Sequence, residues 1–81
     1  MSLLKVRVTR DDIRKGEPWR CDACPVARAM RRHGYQKVFV DMSMISTRWK
    51  TFRTPALVRR FMLQFDRHRP VKPFSFALRA I

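Results

Sequence analysis

The sequence of 81 residues predicts an α+β fold: a single compact basic domain, residues 1–81, with two main helices packed on a mixed three- or four-stranded sheet. Three observations carry this expectation. Two stretches repeat apolar residues at helical spacing between start and stop signals, several shorter ones alternate apolar and polar residues, and the two kinds interleave along the chain. At this length the core is thin, and there is no room for a deep catalytic cleft beside a separate binding domain.

Leu3 to Val8 places Leu4, Val6 and Val8 on one side and Lys5 and Arg7 on the other, the pattern of a half-buried first strand. Thr9 followed by Asp12 resembles a capping box with Asp in place of Glu, and Gly16 suits a left-handed stop, so Thr9 to Lys15 reads as a short helical turn with Ile13 as its core contact. Glu17, Pro18 and Trp19 form a linker in which Trp19 reads as a lid over the core in preference to a stacking platform, a role its position beside Arg20 leaves open. In CDACPVARAMRRHG, Asp22 or Cys24 caps a helix from about Ala23 to His33, Pro25 lies in its first turn and Gly34 ends it. Val26, Ala29, Met30 and His33 share one face. Arg28, Arg31 and Arg32 share the other, within about 6 Å of helical rise.

Tyr35 to Met44 reads as a second strand with Val38 and Val40 inward. Phe39, alternating with them, suggests partial cover on both sides. In SMISTRWKTFR a third strand from about Arg48 to Phe52 is preferred over an extended loop. The strongest local signal is TPALVRRFMLQFDRH, with Thr54 as N-cap and Pro55 at the first helical position. Leu57, Phe61 and Phe65, with Val58 and Met62 beside them, make one wide apolar stripe, and Arg59, Arg60, Gln64 and Arg67 lie largely outside it. Pro70 ends the helix between Asp66 and His68. Phe74, Phe76 and Leu78 then alternate with Ser75, Ala77 and Arg79 in a final strand. The open sheet face would show Lys5, Arg7, Lys37 and Arg79.

Nineteen Lys and Arg against six Asp and Glu give a net charge of +13, and fourteen of the nineteen are Arg. The charge is uneven: residues 1–22 hold six basic and four acidic side chains, residues 23–81 thirteen and two. An Arg-rich surface of this kind favours phosphate or carboxylate partners. The apolar runs are far too short to span a membrane, and the N-terminus reads as neither signal nor transit peptide, so a cytoplasmic location follows by default.

Cys21 and Cys24 form one C-x-x-C. His33, nine residues past Cys24, lies about 13 Å along the same helix, too far to share a zinc ion, while a redox pair at this helix start would gain a lowered thiolate pKa from the dipole. A buried, small apolar Cys24 is the favoured reading. Asp11, Asp12, Glu17, Asp22, Asp41 and Asp66 show no acid/base pairing, the two glycines form no phosphate loop, and no nucleophile–base pair can be assembled, so no enzyme and no cofactor are expected. The sharpest functional feature is the interleaving of bases with aromatics in Arg48, Trp49, Lys50, Phe52 and Arg53, the combination that single-stranded nucleic-acid grooves use. The alternative use of Trp49 and Phe52 is to fill the core.

The blocks Val8 to Gly16 (V-T-R-D-D-I-x-x-G), Cys24 to Ala29 (C-P-V-A-x-A) and Phe65-Asp66 with Val71 to Leu78 (V-x-P-F-x-F-x-L) resemble a group of short, mostly uncharacterised bacteriophage and bacterial proteins. The resemblance implies a compact domain of phage type and no set activity. The expected function is non-enzymatic binding of DNA or RNA phosphates with little sequence preference, through Arg28, Arg31, Arg32, Arg48, Trp49, Lys50, Arg53, Arg59 and Arg60. The alternative is an inhibitor or adaptor that occupies an acidic site on a host protein, and a third is a structural zinc or thiol module.

Overall fold

A computed structural model describes residues 4–79. Leu3, placed in the first strand above, lies outside them. The α+β class holds, but the strands form two antiparallel sheets where one mixed sheet was expected. β1 (Leu4–Val8) and β5 (Phe74–Leu78) pair along their whole length, with Val6 opposite Phe76 and Leu4 opposite Leu78. Their apolar alternations point to the same side, and Lys5 and Arg7 face solvent. A meander of β2 (Phe39–Val40), β3 (Met44–Ser46) and β4 (Thr51–Arg53) makes the second sheet, in which Val40, Ile45 and Phe52 form one buried cross-strand row. Both sheets share one core with α2 (Pro25–Arg32) and α3 (Ala56–Asp66).

The third strand expected at Arg48 to Phe52 is instead mostly turn. Thr47 closes it: its N–H donates to the Lys50 carbonyl at 2.8 Å, its hydroxyl donates to the same carbonyl at 2.7 Å, and it accepts from the Lys50 N–H at 3.0 Å. Only Phe52 of the interleaved run enters the core. Phe39 is not covered on its outer side; it is 55% exposed.

The helical signals hold with local corrections. α1 (Arg10–Lys15) carries the full capping box, Thr9 Oγ1 accepting from Asp12 N–H and Asp12 Oδ2 from Thr9 N–H. Gly16 is not left-handed; its φ is −71°. What requires glycine is a close approach, since a Cβ there would sit 2.6 Å from Pro25 Cδ and 2.7 Å from the Pro25 backbone nitrogen. An alanine at this φ would ordinarily stabilise by about 0.4–1 kcal/mol through the unfolded chain, but overpacking against a ring and a main-chain atom costs about 1–3 kcal/mol. Gly16→Ala is therefore expected to lower stability in a urea titration, and an unchanged or raised midpoint would refute the close approach.

α2 starts at Pro25, with Cys24 as its N-cap, and Gly34 ends it at φ +98° as expected; His33, placed on the core face above, is exposed. Trp19 is no lid: it is 71% exposed, stands at φ 62°, and its N–H donates to Asp66 Oδ1 at 3.0 Å. Thr54 is not the N-cap of α3: it is buried, its hydroxyl donates to the Asp41 carbonyl at 2.9 Å, and no first-turn N–H donates to it. α3 begins one residue later than the Pro55 start expected above, and no side chain caps it. Its buried stripe is Val58, Phe61 and Met62 with Phe65 half-buried, while Leu57, expected in that stripe, is 46% exposed. The helix closes with His68 at φ 59°, where His68 N–H donates to the Phe65 carbonyl and Arg69 N–H to the Gln64 carbonyl, both at 3.0 Å. This two-bond left-handed cap folds the chain back over the last turn.

Candidate nucleic-acid interface

The nine side chains singled out in the sequence fall into three groups. The first is tied to other parts of the chain by hydrogen bonds and ion pairs. Arg32 Nη1 donates to both oxygens of the buried Asp12, at 2.6 and 2.7 Å, and its Nη2 donates to the Arg7 carbonyl at 2.6 Å. Arg28, half-buried, lies 3.8 Å from Asp12 Oδ1 and 3.9 Å from Asp11 Oδ2. Arg31 donates to the Asp22 carbonyl, and Arg59 to the Thr54 carbonyl at 2.7 Å. These four arginines brace α1, α2 and the start of α3, so they do not form the free cationic face that their helical spacing suggested. Burial alone would raise the Asp12 carboxyl, but the Arg32 contact and the Thr9 hydrogen bonds outweigh it and hold the group below its ordinary 3.8.

The second group is Arg48, Trp49, Lys50 and Arg53, gathered on the β3–β4 hairpin. All four are exposed, Trp49 at 67%. The Arg48 guanidinium lies 5.3 Å from the Trp49 ring centre, a cation–π contact that holds ring and charge as one unit. Arg48 N–H donates to the Gln36 carbonyl at 2.9 Å, tying the turn to the segment that precedes β2. On the outer face of this sheet Phe39, Ser46 and Thr51 form one row, and Met44 faces Arg53 in the next. Asp41, after β2, has Oδ1 occupied by the N–H groups of Ser43 and Met44. Phe39 and Met44 were not among the expected site residues; strict alternation with the buried Val38 and Val40 was the signal for Phe39.

Arg60 forms the third group, apart from the hairpin. It lines a cavity of about 200 Å³ with Leu63, Gln64, Arg67 and Arg69.

The cysteines sit apart from these surfaces. Cys24 is buried and caps α2, its Sγ accepting from Ala27 N–H at 3.4 Å, and Cys21 is exposed. Burial pushes the Cys24 thiol up, outweighing the helix-start N–H groups that pull it down, which reverses the expected lowering. Among the described residues no three His, Cys, Asp or Glu side chains gather as metal ligands would, and no helix is long and apolar enough to cross a membrane. Compared with known proteins, the chain matches no protein-family model, no curated protein and no solved structure.

Proposed function

We propose that the protein is a non-enzymatic, phage-type binder of single-stranded nucleic acid, acting through the β3–β4 hairpin and the outer face of its sheet. The observation that carries this reading is an exposed indole with a guanidinium over it, flanked by Lys50 and Arg53 and backed by the outward ring of Phe39. Two rings offer stacking surfaces to bases of any identity, while the cations follow the phosphates, so affinity arises with little sequence preference. An acidic host protein is the second reading. It is favoured by Trp19, a large apolar side chain left exposed on a linker whose backbone is tied to Asp66 at the end of α3, the type of residue that anchors protein interfaces.

Fluorescence anisotropy with labelled single- and double-stranded DNA and RNA at a series of salt concentrations tests the first reading. Three hairpin cations on a single strand predict a slope of log K against log salt of about −2. A slope near zero, or one nuclease-insensitive acidic protein retained in a pull-down with no oligonucleotide binding, would reject nucleic acid in favour of the second reading.

A further inference from the structure

Beyond the hairpin, we infer that the last two turns of α3 form a separate site for a nucleotide: an arginine notch for its phosphates beside an apolar slot for its base. Arg60, Gln64 and Arg67 share one face of α3 at intervals of four and three residues, and the left-handed cap at His68 folds Arg69 back against them. The resulting cavity, about 200 Å³, has room for a pyrophosphate. None of the three guanidinium groups is paired with a carboxylate among the described residues, in contrast to Arg28 and Arg32 on α2. The C-terminal carbonyls that would repel an anion are occupied, since Leu63, Gln64 and Phe65 accept from the N–H groups of Arg67, Arg69 and His68.

A second cavity of about 320 Å³ adjoins the notch and shares Arg60 and Gln64 with it. It is lined by Phe61 and Phe74, whose ring centres lie 4.6 Å apart with their planes tilted by 36°, together with Leu57, Pro70, Val71 and Lys72. A planar base resting against one of these rings would leave its phosphates toward Arg60. Three unpaired arginines suit more than one negative charge. A phosphomonoester carries about −1.5 to −2 at neutral pH, whereas an internal phosphodiester carries a single charge, so the chemistry selects a nucleoside polyphosphate or the phosphorylated end of a strand. α3, eleven residues and about 16 Å long, leads from Arg53 of the hairpin toward this site, so the two can be altered separately.

Titration of the ¹⁵N-labelled protein with ADP, adenosine, pyrophosphate, and 5′-phosphorylated or 5′-hydroxyl pentathymidine tests the site. ADP is expected to shift the amides of Gln64, Arg69 and Phe74 and to bind about tenfold or more tighter than adenosine, an advantage that Arg60→Ala/Arg69→Ala removes while far-UV circular dichroism stays unchanged. A 5′-phosphate-dependent response of these amides to pentathymidine, with none to ADP, would support the strand end as the source. Measurable but equal binding of ADP and adenosine, pyrophosphate binding as tightly as ADP, tighter binding of a hexaglutamate peptide, indifference to the double variant, or no response to any of these ligands would each overturn the proposal. The hairpin variant Arg48→Glu/Lys50→Glu/Arg53→Glu should leave ADP binding intact, so the two sites fail independently.

Discussion

Replacing Arg32 by alanine is expected to destabilise the fold by about 3 kcal/mol, whereas Arg31→Ala, one position away on the same helix, should cost no more than about 0.5–1 kcal/mol. The difference lies in what each guanidinium touches. Arg32 satisfies both oxygens of a carboxylate that is 2% exposed, while Arg31 donates to one carbonyl at the surface. Without Arg32 the buried Asp12 charge keeps Thr9 N–H and the more distant Arg28, whose Nε already lacks a hydrogen-bond partner. A domain of this size has roughly 4–12 kcal/mol of stability in total, so the loss brings Arg32→Ala close to unfolding at moderate temperature. Urea titration of both variants decides the matter, and equal shifts would mean that the pair contributes no net stability.

The same contact has a pH signature. Asp12 is held below its ordinary value in the folded chain, so its contribution is fully present above about pH 4 and disappears as pH falls through the folded value. Arg32→Ala should flatten the acid limb of the stability curve as well as lower its plateau.

These pairings mark where the sequence stops being legible. Local signals placed the elements: Thr9 and Asp12 announced the capping box, Cys24-Pro25 and Gly34 bounded α2, and the alternations at Leu4 to Val8 and Phe74 to Leu78 announced the strands that pair. Each of these depends on neighbours within a few residues. The Arg32–Asp12 pair joins groups twenty residues apart, and nothing in A-R-A-M-R-R distinguishes an arginine bound for a buried carboxylate from one bound for solvent. Thr54 turns on distance as well: its buried hydroxyl bonds the carbonyl of Asp41, thirteen residues back in the chain, and Pro55 takes the N-cap position. The Arg69 notch depends on His68 taking a left-handed conformation that glycine usually takes, so no residue type announced it. The hairpin was visible as chemistry and misplaced as geometry. The interleaved bases and aromatics are evident, but a four-residue turn closed by Thr47 carries Arg48, Trp49 and Lys50, and only Phe52 and Arg53 stand in a strand, β4.

That displacement from strand to turn sets the last expected result. Trp49→Ala should weaken single-stranded binding by about 1–3 kcal/mol, roughly 5- to 150-fold, and Arg48→Glu/Lys50→Glu/Arg53→Glu should abolish it near physiological salt. In a buried strand either change would threaten the fold. Trp49, Arg48 and Lys50 stand on an exposed turn whose closure uses Thr47 and the Lys50 backbone, and Arg53 points outward from β4, so both variants should leave the thermal midpoint nearly unchanged. Reversal of Arg28, Arg31 and Arg32 is the necessary contrast: it should also remove binding, but with loss of the folded circular-dichroism signal, because Glu at position 32 would face Asp12. Retained binding in the folded hairpin variants would exclude the hairpin as the contact surface. Loss of binding at an unchanged midpoint would assign the contact to an indole and three cations that the core does not need.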